Sequence, residues 1–336
     1  MTRLGTCEDA FVEQRNIERL GRSVSVVGLG TWQLGADWGE IDAAAAQAVL
    51  EASFNAGVTF FDTADVYGDG RSERFCGELR ARHPELMIAT KMGRRVEQLP
   101  ENYSQRSFLA WNDRSRENLG MDQVDLVQLH CPPDAVYESD AVFDALDEMV
   151  AAGRIRAYGV SVETCAQALH AIARPRVATV QIILNCLRLK PLERVLPAAR
   201  EAGVGIIARV PLASGLLSGR YDEHTTFPSD DHRNFNRHGE QFDVGETFSG
   251  VPYEVGLAAA RELAELIDPG MTLAQFALRW VIDQPGVSTV IPGARNVEQA
   301  LANAAVAALA PLREEQLAGV RDVYDRVVRE HVHARW

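Results

Sequence analysis

Short apolar runs alternate with longer amphipathic runs along almost the whole chain. The strand-like runs cover residues 24–29, 58–62, 86–91, 124–130, 155–161, 179–184, 205–210 and 289–292. Most are rich in Val, Ile or Leu without clean alternation, the pattern of parallel strands buried on both faces. Helix-length runs lie between them. Asp42 is placed to cap 43–55, with Gly57 just past its end; Ser72 opens 73–81; 105–119 closes at Gly120 and 139–152 at Gly153. Runs over 164–171, 191–202, 253–267, 272–284 and 297–305 follow, and a last helix is predicted over 313–329.

Eight strand–helix repeats predict a closed (β/α)8 (TIM) barrel forming a single domain over residues 1–336. An open doubly wound sheet is the runner-up, but it would usually show a composition break at a second domain, and none is visible. Residues 16–23 contain a Leu-Gly-Arg-Ser turn and are expected to form a hairpin that plugs the barrel floor. The seventh unit departs from the rhythm. Residues 212–252 form a long stretch rich in Gly, Ser, Asp and His that also carries Phe227, Phe235, Phe242 and Phe248. A loop of this length is expected to be functional or disordered. On a barrel it would leave the C-terminal end of a strand and lie over the mouth.

Composition narrows the function classes. A chain of 336 residues with 46% apolar content can bury a large core. It has no 18-residue apolar run, and the first 21 residues lack the apolar segment of a secretory signal, so a cytoplasmic protein is expected. The formal net charge of −13 argues against a nucleic-acid partner but not against a phosphorylated cofactor, which needs only a few local Arg or Lys. Cys7, Cys76, Cys131, Cys165 and Cys186 are odd in number and scattered, which suits free thiols. Cys131 stands beside His130 and is open to reading as a nucleophile or, more simply, as a small buried thiol.

The chemistry gathers at strand ends. FFDTADVYGDG (60–70), ATKMG (89–93), DLVQLH (125–130) and YGVSVET (158–164) place Asp62, Lys91 and His130 where buried strands finish, with Tyr67 five residues after Asp62. Ionisable groups at such positions need partners or a function. In a barrel these ends converge on one pocket. Together the four suit carbonyl reduction. A Tyr hydroxyl can protonate a developing alkoxide, but its ordinary pKa of about 10 is high for the task. A neighbouring ammonium, Lys91, is expected to lower that pKa, with Asp62 holding Lys91 in place and His130 orienting the carbonyl. Singly, Asp62–Lys91 reads equally well as a structural ion pair, His130 as a core histidine and Tyr67 as packing.

FDTADVYG, ATKMG and DLVQLH resemble the signature segments of the aldo-keto reductase family, in its bacterial form. GLGTWQLG (28–35), AAGRIRAYGVS (151–161), PLASGLLSGR (211–220) and IPGARNVEQALAN (291–303) agree, so the resemblance spans about 17–310. The resemblance implies reversible NADPH-dependent reduction of aldehydes or ketones, with Tyr67 as general acid. It also implies a cofactor site. Ser161 and Gln181 would hold the nicotinamide amide, and Gly30, Thr31 and Trp32 (beside Asp62) would flank it. Pro211, Leu212, Gly215 and Leu217 would wrap the pyrophosphate. Gly293, Arg295, Gln299 and Asn303 would bind the adenosine end, where a helix N-terminus favours anions. Arg295 is placed for a ribose 2′-phosphate, which favours NADPH over NADH. Trp32, Tyr67, Met92, Arg94 and His130 would line the substrate pocket. Two positions depart from the family pattern: Val162 stands where Asn is common, and Arg209 where an aromatic ring would stack on the nicotinamide. Arg209 could stack through its guanidinium, and its charge is expected to favour the neutral reduced ring.

Other readings are weaker. Gly28-Leu29-Gly30-Thr31-Trp32-Gln33 follows a strand like a dinucleotide-binding glycine motif. It lacks the third glycine, however, and Trp32 would crowd the turn. A metal hydrolase would need clustered His and Asp ligands, and the only His-x-His is His331-Val332-His333, so no metal is expected. A cofactor-binding regulatory subunit, like the channel-associated relatives of the family, is the alternative to an enzyme.

Overall fold

The computed structural model describes residues 12–35 and 42–336; Cys7 and the first residues of the sequence lie outside them. Strands β1 (Gln14–Ile17) and β2 (Arg22–Ser25) pair antiparallel across a turn at Gly21, whose φ of 65° suits glycine. Eight further strands follow: β3 (Leu29–Gly30), β4 (Phe60–Asp62), β5 (Met87–Met92), β6 (Val124–His130), β7 (Ile155–Ser161), β8 (Val177–Ile183), β9 (Gly205–Arg209) and β10 (Val287–Val290). They form one sheet in sequence order, every neighbour parallel. Bridges Val27–Val290 and Gly30–Gly293 join its two ends and close the barrel. The expected run over 24–29 is therefore two elements: its first residues pair in the hairpin, and Val27 and Leu29–Gly30 belong to the barrel.

The hairpin seals the floor. Ile17, Leu20 and Val24 form one buried cluster with Phe60, Met87, Ala89, Leu126, Ala157 and Ile207 of the strands. Arg19 reaches under the barrel to donate to the carbonyls of Arg174 (2.6 Å) and Val177 (3.2 Å). Side chains of a strand alternate between its faces, so the inward rows can be followed upward from this floor. They run Phe60–Asp62, Met87–Ala89–Lys91, Leu126–Gln128–His130, Ala157–Gly159–Ser161 and Ile207–Arg209. Each begins apolar or small and ends polar at the C-terminal rim.

Helices wrap the outside, and Asp42 caps the first long one as expected. Asp42 accepts from the Ala45 amide, and Thr164 and Thr272 form capping boxes. Helix Arg71–Arg82 starts earlier than expected, after Gly70; Ser72 is not its cap but is buried, with its hydroxyl bonded to Thr31. The run over 253–267 is helical only for Tyr253–Ala264, and that over 272–284 for Leu273–Ile282. The last run is Glu314–Val323, a π-helical turn Tyr324–Val328, and Arg329–Val332. No helix among the described residues is long and apolar enough to cross a membrane.

Residues 212–252 are largely irregular, with short helical turns at Ala213–Ser218, His232–Phe235, Val244–Glu246 and Phe248–Gly250. Side chains hold the segment together. Asn236 accepts from the amides of Gln241 and Phe242 (2.8 and 3.0 Å), and Asp231 takes the Arg233 guanidinium. Trp32, on the loop after β3, meets His232 (ring centroids 4.9 Å apart) and Phe242 (6.1 Å), so this segment roofs the C-terminal rim.

Candidate active site

Asp62 ends β4, Lys91 lies near the end of β5 and His130 ends β6, and all three are buried. Lys91 Nζ makes a close ion pair with Asp62 Oδ1. It also donates to the Thr63 carbonyl (2.9 Å) and lies 3.4 Å from the Tyr67 hydroxyl. Asp62 Oδ2 accepts from Gln128 (3.0 Å) and Gln181 (2.8 Å). Both carboxylate oxygens are thus engaged, as a buried charge requires. Tyr67 is set by a tight crossing of loops: a Cβ on Gly68 (φ 58°) would stand 2.5 Å from the Gly35 carbonyl oxygen, so the turn closes only with glycine. The Tyr67 ring stacks on Trp32 (6.1 Å, 20°) and meets the His130 ring edge-on (6.1 Å, 87°).

The electrostatics differ from expectation at Tyr67. Burial raises its pKa above the ordinary 10.0; Lys91 pulls downward, but Asp62 and Glu246 push the other way. The net result is a protonated phenol, because burial, helped by Asp62, outweighs the pull of Lys91. Burial opposes the charge on Lys91, yet Asp62 and Tyr67 more than offset it, and its pKa lies above 10.5. Burial, with Arg94, Lys91 and Arg209 nearby, holds His130 well below 6.5, so its imidazole is neutral. Its Nδ1 is buried with no hydrogen-bond partner among the described residues. The tautomer carrying the proton on Nε2 avoids a buried unpaired N–H.

Asp62, Tyr67 and His130 line the floor of a cavity of about 580 Å³. Gly30, Thr31 and Trp32 flank it, Ser161, Gln181 and Arg209 form one wall, and Pro211, Leu212 and Gly215 continue it. Gly293, Arg295, Gln299 and Asn303 lie at the far end. There Asn296 caps helix Val297–Ala305, and Asn303 donates to the Gly293 carbonyl (3.1 Å). Arg295 is exposed, and its guanidinium has no partner among the described residues. A polar floor, a glycine-lined waist and a cationic helix start fit an elongated ligand with a phosphorylated tail.

Three expected residues sit elsewhere. Met92 follows inward-facing Lys91, so it points outward into the core, buried beneath the surrounding helices. Leu217 is turned into the same core by its helical turn. Arg94 does not line the cavity; it pairs with Glu163 (3.0 Å) and donates to the His130 carbonyl (3.2 Å). Lys91 lies behind the cavity wall, in contact with Tyr67 and Asp62.

The two departures from the family pattern are connected. Val162 is buried in the core, while its carbonyl accepts from Arg209 (3.0 Å). Arg209 also pairs with Glu163 (3.0 Å) and Glu246 (2.6 Å). Its charge is therefore matched by carboxylates and does not face the cavity bare. Cys131 is held as a protonated thiol: burial and Glu163 push it up to about 12 against the pull of Arg94 and Arg209.

Sequence reasoning missed Gln128, Glu163 and Glu246. Gln128 carried a signal, being the one uncharged polar residue inside the apolar run of β6. Glu246 carried none, because its partner Arg209 is remote in sequence.

A model of the aldo/keto reductase family matches residues 26–325. An aldo-keto reductase of Bacillus subtilis (strain 168) is 30% identical over 294 residues, 86% of each chain. A probable voltage-gated potassium channel subunit beta of Arabidopsis thaliana is 28% identical, over 90% of this chain and 93% of its own. Among solved structures, a glycerol dehydrogenase from Gluconobacter oxydans aligns with a TM-score of 0.77 at 30% identity, covering 94% of this chain and 96% of that one. An aldo-keto reductase from Klebsiella pneumoniae in complex with NADPH aligns with a TM-score of 0.65 at 26% identity, covering 90% and 92%. The closed eight-stranded barrel, the Asp62–Lys91–Tyr67–His130 cluster on its rim and this match over most of the sequence agree: the chain belongs to the aldo/keto reductase family.

Proposed function

We infer that the protein is an NADPH-dependent oxidoreductase that reduces aldehydes or ketones to alcohols. The observation that carries this reading is the Tyr67 hydroxyl held 3.4 Å from the Lys91 ammonium on the floor of a long cavity, next to a neutral histidine. The NADPH complex of the Klebsiella pneumoniae relative supports the choice of cofactor.

Ser161 and Gln181 are suited to hold the nicotinamide amide, Pro211, Leu212 and Gly215 the pyrophosphate, and Arg295, Gln299 and Asn303 the adenosine end with its 2′-phosphate. When bound, the reduced nicotinamide supplies the hydride. His130 donates its Nε2 proton as a hydrogen bond to the carbonyl oxygen and orients it beside Tyr67. Tyr67 passes its phenolic proton to the oxygen as charge develops there. Lys91 stabilises the phenolate left behind, and Asp62, with Gln128 and Gln181 on its second oxygen, fixes Lys91. Water exclusion falls to Trp32 and the roof above it. In the reverse direction the phenolate is the base, so oxidation needs a higher pH.

The plant channel-subunit relative favours one alternative, a cofactor-binding regulatory protein. A panel of aldehydes, ketones and sugars at fixed NADPH, followed by loss of the reduced cofactor's absorbance, separates the two. Turnover of at least one carbonyl class is expected; tight NADPH binding with no turnover of any of them would favour the regulatory role.

A further inference from the structure

Trp336 lies far from Tyr67 in sequence, yet it is only 6% exposed. Its ring covers the Arg188 guanidinium, 3.9 Å from the ring centroid. Arg188 is itself buried; one nitrogen donates to the Glu163 carbonyl (2.6 Å), while Nε and Nη1 have no hydrogen-bond partner among the described residues. Burial and the neighbouring Arg209 bring its pKa down to about 10. A cation short of donors' partners and desolvated in this way gains most from a ring face.

The edge of the ring bears on the roof of the cavity. A Cβ on Gly250 (φ 74°) would stand 2.2 Å from Trp336 Cη2. One on Gly245 would stand 3.2 Å from Trp336 Cζ2 and 2.3 Å from Arg188 Nη1. Gly245 and Gly250 therefore pack against the ring edge, and Gly245 also against the guanidinium. Glu246, between those glycines, pairs with Arg209 (2.6 Å) and gives its carbonyl to Ser214 (3.0 Å). Ser214 accepts in turn from the Phe248 amide (3.1 Å), and Asn185 ties Ser249 (2.7 Å) to the Val210 carbonyl (2.8 Å). Val210 and Ser214 hold positive φ, 52° and 53°, a costly backbone for non-glycine residues that persists only where surroundings enforce it. Both line the waist of the cavity.

We propose that Trp336 is a positioning residue: by stacking on Arg188 beneath Gly245 and Gly250 it fixes Glu246 against Arg209 and so sets the shape of the cavity waist where the dinucleotide lies. Its effect on catalysis rests on the reading of this cavity as an NADPH site; its effect on segment 244–250 does not. Hydrogen exchange of the protein alone tests the second point. In Trp336→Ala, amides of 244–250 are expected to exchange about tenfold faster or more, the scale of one desolvated cation–π contact. Trp336→Phe should restore most of the protection, because a phenyl face still covers Arg188. NADPH titration tests the first point. The dissociation constant should rise by about tenfold in Trp336→Ala, with kcat at saturating cofactor changed less than the affinity. Gly250→Ala provides a third arm. Alone it clashes with the ring, so it should harm binding less in the Trp336→Ala background than in the wild type. Unchanged exchange at 244–250 overturns the proposal. Faster exchange with unchanged NADPH affinity overturns its link to the cavity. If the wild-type protein does not bind NADPH at all, the functional reading fails, while the exchange arm still decides the role of Trp336.

Discussion

Asp65 stands two residues before Tyr67, fully buried, and neither of its carboxylate oxygens has a hydrogen-bond partner among the described residues. Burial raises its pKa from 3.8 to about 7, with Glu73 adding to the rise and Arg95 and Arg114 opposing it. In the unfolded chain the proton leaves near the lower value, and in the folded protein near the higher one. Between them the folded state binds more protons, so stability falls as pH rises. The neutral acid is tolerated in full only below the lower value, and the penalty is complete once pH passes the upper one. At about 1.36 kcal/mol per pH unit, that penalty reaches about 4 kcal/mol by pH 9, and well under half of it is present at pH 5. Asn has nearly the same shape as the protonated acid and no charge to desolvate. Asp65→Asn should therefore be more stable than the wild type, and its advantage should be about 3 kcal/mol larger at pH 9 than at pH 5. With a urea dependence of about 3 kcal/mol/M, the midpoint difference between variant and wild type should widen by roughly 1 M across that interval. A difference that is the same at both pH values would refute the reasoning, because the Asp65 charge would then cost nothing in the fold.

Further outcomes follow from the same contacts. Lys91→Met should lower turnover by about 10²-fold or more and destabilise the fold by about 3–5 kcal/mol, because Asp62 is left as an unpaired buried charge; urea melts and steady-state rates read both. Arg209→Gln should destabilise by a similar amount, leaving Glu163 and Glu246 buried without their shared cation, while the ratio of NADPH to NADP+ affinities stays within about twofold. A ratio shifted tenfold would restore the view of Arg209 as a bare charge on the cofactor. The pKa of Tyr67 lies above 10.0 and that of His130 well below 6.5, so kcat/KM for reduction should hold level between those limits. It should decline only when alkali removes the Tyr67 proton; a rate falling across neutral pH would contradict both assignments.

The barrel was legible because the strand runs and helix caps are locally encoded. Asp42 caps where its sequence says it should, while Thr164 and Thr272, read as the first residues of their helices, are their caps; the apolar strand runs need no partner to be recognised. Strand parity explains both the success and one failure at the site. Asp62, Lys91, His130 and Ser161 lie on inward rows, so their convergence follows from period two. Met92 lies one residue off that parity and is turned to the core, an outcome the same rule contains. The first strand was misjudged because hairpin and barrel share one apolar run, and only the closing bridges of Val27 and Gly30 divide it. The Arg209–Glu163–Glu246 cluster could not be read at all. It depends on where an irregular segment folds back, and no local pattern encodes that return. The expected lowering of the Tyr67 pKa failed for a related reason: Lys91 was visible in the sequence, but the extent to which burial and Asp62 counter it was not.

The account rests on Tyr67 as the proton donor, and Tyr67→Phe tests it most directly. The ring remains to stack on Trp32, and only the hydroxyl beside Lys91 is lost. NADPH-dependent reduction of an activated aldehyde such as nitrobenzaldehyde should fall by about 10²- to 10⁴-fold in kcat, while NADPH binding stays within about twofold of wild type. Near-wild-type turnover in that variant would contradict the central claim.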